Sequence, residues 1–199
     1  MKRNIAAFDF DGTLTLRDSF PLFIRYSTGT WRALAGFLLY SPQLVLMKLR
    51  LYSNDKAKEQ VFSHFFKGWE YQRFQELGRA FASEIEKMRN DDIIARLQEH
   101  IQGGDTVYIV SASIREWVEP WGLKMGVNAV IATEVEVDSS GKLTGRFSTP
   151  NCNGEEKVTR LLQVEPDRES YTLTAYGDSR GDEPLLALAD KGTRIKNRH

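Results

Sequence analysis

Apolar positions along the chain follow two regimes. Residues 4 to 9 form a short apolar run of strand length. From Asp18 to about Met88 the text is helical, with breaks near Ser27-Thr28-Gly29, Ser41-Pro42, Ser53-Asn54 and Lys67-Gly68. From Asp91 onward helices and strands alternate. An amphipathic helix over 91 to 102 carries Ile93, Ile94, Leu97 and Ile101, and Gly103-Gly104 ends it. A buried strand over 105 to 111 leads into a helix from about Ile114, and another strand covers 128 to 132. Residues 133 to 147 predict a hairpin turning at Ser139-Ser140-Gly141. A helix over about 155 to 163, a strand over 171 to 177 and a helix over 183 to 189 complete the pattern.

Alternating strands and helices predict an α/β fold with a doubly wound, Rossmann-like parallel sheet. The helical block interrupts it directly after the first strand. The expected architecture is a core of residues 1–16 plus 89–199, with a helical cap domain inserted over 17–88. Ligands of such sheets bind beyond the carboxyl ends of the strands. Three predicted strands end there in polar residues: Asp9 and Asp11, then Ser111, then Asp178.

Composition narrows the classes. The chain has 199 residues, with Lys plus Arg and Asp plus Glu both at 27, so no bulk charge steers it to nucleic acid. A single cysteine, Cys152, excludes an internal disulfide and reads as a bystander in a reducing compartment. The first apolar stretch meets Asp9 too early for a secretory signal, so a cytoplasmic location is expected. Residues 31 to 52 qualify this. Their uncharged stretch from Ala33 to Met47 is shorter than the ~20 residues of a spanning helix. Arg32, Lys48 and Arg50 flank it, with Trp31, Tyr40 and Tyr52 near its ends. It reads as a pair of short cap helices or as an element resting on a membrane surface.

The chemistry is carried by few side chains. Asp9 and Asp11 are spaced to share one face if the strand persists, although Asp-Gly is also a common turn pair. Ser113 and Glu116 have capping-box spacing, which makes Ser113 structural and leaves Ser111 free at its strand end. Asp178 follows an apolar strand as Asp9 does, while Asp182 near Pro184 also suits an N-cap. Asn153 and Glu156 approach capping-box spacing and place Lys157 in a first helical turn. A cation there opposes the helix dipole unless it faces an anion; a solvated lysine is the alternative. Four carboxylates and one lysine around one cleft require further positive charge. Oxygen-only donors favour a hard cation, Mg²⁺. The three histidines show no zinc-like arrangement.

DFDGT, VSAS, a helix-borne lysine and GDSRGD, in that order, resemble the four motifs of the haloacid dehalogenase-like (HAD) phosphohydrolases. The insert after the first strand resembles the phosphoserine phosphatase-like branch, subfamily IB. The resemblance implies a Mg²⁺-dependent phosphomonoester hydrolase working through an aspartyl-phosphate. Asp9 would be the nucleophile and Asp11 the acid and base. Thr13, Ser111 and Lys157 would meet the phosphate, with Lys157 also offsetting charge on Asp9. Asp9, Asp11 through its carbonyl, Asp178 and Asp182 would form the metal site. Asp18 stands where phosphoserine phosphatases carry a glutamate, Ala112-Ser113 replaces their glycines, and GDSRGD replaces GDGAND. TLTLRDSFPLFIRYS with the apolar block after it is similar to phosphatidylglycerophosphatase C-like members. The implied substrate is therefore a small soluble phosphomonoester or a phospholipid head-group phosphate, the latter with peripheral membrane contact through residues 31 to 52. A phospho-receiver or silent binding protein is the alternative of another class. A phospho-receiver needs neither Asp11 nor a large cap, and a silent binding protein should have lost at least one of the five motif side chains, of which none is missing.

Overall fold

A computed structural model describes residues 2–41 and 54–196. Residues 42–52, half of the segment with two readings, lie outside it. The sheet is five-stranded and all parallel, in the order β3 (Ala129–Thr133), β2 (Thr106–Ile114), β1 (Arg3–Phe8), β6 (Tyr171–Gly177), β7 (Lys191–Arg194). A separate antiparallel pair, β4 (Val135–Val137) and β5 (Leu143–Phe147), is the predicted hairpin. The α/β doubly wound expectation holds.

The central strand shows why the sheet forms. Side chains alternate across a strand, and β1 is covered on both faces. Ala6 and Phe8 join a core with Leu97 of α5 (Asp91–Gln102) and Trp117 and Trp121 of α6 (Arg115–Met125). Ile5 and Ala7 join another with Leu161 of α7 (Glu155–Val164) and Leu185 of α8 (Glu183–Leu188). β7 escaped the sequence reading because its four residues, KGTR, are polar, mostly exposed and at the sheet edge.

Between β1 and α5 lie α1 (Ser19–Thr28), α2 (Thr30–Leu39), α3 (Asn54–Phe66) and α4 (Tyr71–Glu86). The chain enters and leaves this block side by side: Leu16 N donates to Met88 O at 2.7 Å and Asn90 N to Leu14 O at 2.8 Å. Phe23 of α1 stacks on Trp117 with centroids 4.4 Å apart, and Phe74 and Phe81 of α4 meet Phe23 edge-on. One apolar core thus runs through the block and one face of the sheet layer. No helix among the described residues is long and apolar enough to cross a membrane.

Gly78 sets how closely α4 approaches α6, because an added Cβ would collide with the Glu116 carbonyl. Helix propensity favours alanine over glycine by ~1 kcal/mol, whereas overpacking costs about 1–3 kcal/mol. Gly78→Ala is expected to lower the urea-unfolding free energy by ~1 kcal/mol; a gain would show that the two helices separate freely.

Candidate active site

Asp9 is the first residue beyond β1, and its amide still donates to Tyr176 O at 2.9 Å. The strand does not persist to Asp11, as a shared strand face would require. The chain turns instead at Phe10, whose carbonyl accepts from Thr15 N at 3.0 Å and Thr15 Oγ1 at 3.2 Å. Gly12 supports the turn at φ 78°, where an added Cβ would also strike the Asp178 carboxylate. This loop, rather than the pleat, brings Asp9 and Asp11 to one cavity.

Lys157 lies in the first turn of α7, as its position in the sequence predicted. The cap differs: Gly154 at φ 61° precedes the helix without a side-chain bond, and its amide donates to Gly181 O at 2.9 Å. The backbone link to the 181 turn replaces the Asn153–Glu156 box. Lys157 is buried, and its Nζ donates to Asp9 Oδ1 at 2.5 Å and to Asp182 Oδ1 at 2.6 Å. Asp182 Oδ2 accepts from Asp178 N at 3.2 Å, Ser179 N at 2.9 Å and Ser179 Oγ at 2.7 Å. Both of its oxygens are therefore engaged within the protein. Thr13 Oγ1 lies 3.3 Å from Asp9 Oδ2 and 3.5 Å from Asp178 Oδ1. Ser111 is buried in β2, and its Oγ accepts from Ser113 N at 2.9 Å, which occupies a lone pair and not the proton.

Ser113 departs from the reading that made it a helix cap. α6 starts at Arg115 after Ile114, with no side-chain cap, and Ser113 still belongs to β2. Its hydroxyl donates to Asp11 Oδ2, while Ser19 N donates to Asp11 Oδ1 at 2.8 Å. The capping spacing supplied a sufficient local explanation and hid a partner 102 residues away.

Lys58 of α3 was missed because a lysine in a helical run ordinarily faces solvent. Its Nζ donates to Ala112 O at 2.5 Å and sits 5.3 Å from the Phe20 ring centroid. It lines a cavity of about 470 Å³ between the sheet's carboxyl edge and the helical block. Asp9, Asp11, Ser111 and Lys157 line it from the α/β layer, and Phe20, Pro21, Phe37 and Val61 from the helical block. Cys152 is buried nearby, and burial pushes its thiol up to about 11, which leaves it inert.

The electrostatics show a deficit of positive charge. Burial pushes Asp9 up to about 7; Lys157 opposes this and Asp182 reinforces it. Burial, then the nearby Asp18, pushes Asp11 up to about 6, against the hydrogen bonds from Ser113 and Ser19. Burial and then Asp182 also raise Asp178. Burial alone would lower Lys157, but Asp9 and Asp182 hold it above the ordinary lysine range, so it stays charged. One ammonium does not compensate three carboxylates. Carboxylate oxygens of Asp9, Asp178 and Asp182 lie within 4.8 Å of one another, an oxygen donor set that fits a hard divalent cation. Asp9 and Asp178 have the freer oxygens. The Asp11 carboxylate is outside this cluster, turned to Ser19 and Ser113.

The sequence matches the haloacid dehalogenase-like hydrolase family over residues 6–187. Protein CicA of Caulobacter vibrioides is 35% identical over 195 residues, covering 96% of this chain and 86% of that protein. A crystal structure of a protein from Bordetella pertussis Tohama I superposes with a TM-score of 0.78 at 22% identity, over 94% of this chain and 87% of that one. A phospho-aspartyl intermediate analogue of phosphoserine phosphatase superposes with a TM-score of 0.64 at 18% identity, over 95% and 84%. The chain belongs to the haloacid dehalogenase-like hydrolase family.

Proposed function

We propose that the protein is a Mg²⁺-dependent phosphomonoester hydrolase that works through an aspartyl-phosphate on Asp9. The observation that carries this reading is Asp9 itself. It is a buried carboxylate held by Lys157 at 2.5 Å, open to the same cavity as a second carboxylate, Asp11, with hydrogen-bond partners of its own. The likeness to phosphoserine phosphatase supports it at the level of fold.

In this reading an Asp9 oxygen attacks phosphorus and the ester P–O bond breaks. Asp11 gives its proton to the departing alkoxide. Asp11, now ionised, takes a proton from water as the water oxygen attacks phosphorus. The P–O bond to Asp9 then breaks, phosphate leaves, and Asp11 is protonated again. Lys157 offsets charge on Asp9 and on the phosphoryl oxygens, Ser111 donates its hydroxyl proton to them, and Thr13 steadies the loop between Asp9 and Asp178. Mg²⁺, held by Asp9 and Asp178 with the Asp11 carbonyl, would supply charge neutralisation at the transferring group. Asp182 orients Lys157 and the 178–179 backbone. The inserted helices 17–88 act as the cap that selects the alcohol, with Lys58 as their cation in the cavity.

A second reading of the substrate, a phosphorylated amphiphile, is favoured by one observation. α2 exposes Trp31 at 84% and Leu38 at 76%, together with Leu34 and Leu39. A groove of about 400 Å³ beside it is lined by Leu22, Leu34, Arg17 and Arg25 and shares Asp18, Pro21 and Phe37 with the active-site cavity.

Asp9→Asn is expected to cut phosphate release by about 10⁴-fold or more and to abolish an acid-stable, hydroxylamine-sensitive phosphoprotein; retained turnover would reassign the nucleophile. Asp178→Ala is expected to raise the Mg²⁺ concentration for half-maximal activity by at least ~10-fold, read by metal titration, and an unchanged titration would move the metal elsewhere. Replacing Leu38 and Leu39 with glutamate is expected to weaken binding to anionic phosphatidylglycerol vesicles by about tenfold or more, with hydrolysis of a soluble aryl phosphate preserved. Equal vesicle binding by both proteins would leave a soluble ester as the substrate.

A further inference from the structure

Asp11 is gripped on both carboxylate oxygens by hydrogen bonds from buried groups. The Trp117 indole N–H, a donor without acceptor capacity, reaches Ser19 Oγ at 3.0 Å. Ser19 Oγ lies 3.0 Å from Ser113 Oγ, and Ser113 Oγ donates to Asp11 Oδ2. On the other side the Ser19 amide, again only a donor, meets Asp11 Oδ1 at 2.8 Å. Trp117, Ser19 and Ser113 are all buried, at 0%, 0% and 1% exposure.

With Asp11 ionised, the Ser113 hydroxyl and the Ser19 amide both donate to it, and the Ser19 hydroxyl also reaches the same carboxylate. These contacts hold the carboxyl group from the side of the helical block and of β2, and leave its other lobes to the cavity that Asp11 lines.

Resting on the reading of Asp11 as acid and base, we propose that Trp117, Ser19 and Ser113 are positioning residues that hold its carboxyl group facing the leaving group. Two of the three depend on how the helical block is seated. Ser19 opens α1, and Trp117 stacks on Phe23 of that same helix. Seating α1 against α6 is then what completes these contacts.

The test compares kcat/KM for two esters in the full-length protein with Mg²⁺. An alkyl phosphate needs its leaving oxygen protonated, whereas 2,4-dinitrophenyl phosphate does not. Ser113→Ala is expected to lower kcat/KM about tenfold or more for the alkyl ester, a part of the 10²–10⁴-fold that general acids supply, and less than about twofold for the activated one. Ser113→Thr, which restores a hydroxyl, should recover most of the loss. Ser19→Ala, which keeps the amide but removes the link to Trp117, should show the same selective pattern with a smaller, several-fold loss. Losses equal for both esters, or none for either, in variants with wild-type melting temperatures would overturn the positioning role while leaving the phosphatase reading intact. A wild-type protein that hydrolyses neither ester would overturn the phosphatase reading, and the role with it.

Discussion

A buried ammonium between two carboxylates is the constraint on which the rest of the site depends. Taking Lys157 and its partners out of water costs several kcal/mol per ion, and only close pairing returns it. Lys157 therefore cannot be seated unless Asp9 and Asp182 are both in place. Asp182 in turn gathers the amides of residues 178 and 179. Gly177 leaves room for it, since a Cβ there would collide with the Asp182 side chain. The loops after β1 and β6 and the start of α7 are thus fixed against one another by one cation. The same arrangement remains anionic, because three carboxylates surround it, which is why a hard divalent cation fits.

The helical block is bound to this centre by packing and by polar contacts. Phe23, Phe74 and Trp117 form one aromatic cluster across the boundary, and Tyr71 of α4 donates to Glu116 of α6 at 2.9 Å. On the other flank, Asn151 Nδ2 donates to Asp55 of α3 at 2.7 Å and Phe147 N to Glu59 at 2.9 Å. With Lys58 on Ala112, three residues of one helix face, at 55, 58 and 59, reach three separate stretches of the core. Aromatic pairs of this kind add about 0.5–1.5 kcal/mol each beyond the area they bury. That makes the block's seating a property of the whole interface rather than of one hinge.

What the chain discloses before folding follows from the range of the interactions. The helix over 91 to 102 and the strand over 171 to 177 appear over the same residues in the structure, because periodicity and glycine punctuation are local. Asp9, Ser111 and Asp178 were legible as polar residues at the carboxyl ends of apolar strands, which a parallel sheet must gather at one edge. Asp11 was legible as a residue but not as a geometry, since a turn rather than the pleat places it. Ser113 was hidden by an equally good local reading. β7 carries no apolar alternation, and only its pairing with β6 makes it a strand.

Lys58 shows why the side of the cavity built by the helical block is harder to read than the side built by the strand ends. Asp9, Ser111 and Asp178 sit on or next to the strands that carry them, so each short motif contains both the scaffold and the group. Lys58 is remote in sequence from all of them, and nothing within a turn of α3 distinguishes it from a solvated lysine. Its environment exists only once Phe20, Asp18 and Ala112 have been assembled around it. Burial pulls its pKa below the ordinary lysine range, with Asp18, Asp11 and Asp55 opposing the shift. In the reading proposed above, a cation placed against that cost is where the binding of a substrate's anionic part offsets most. The strand-end side of the cavity is thus written in contiguous motifs, whereas its helical side is written in contacts between segments that only the folded helical block brings together.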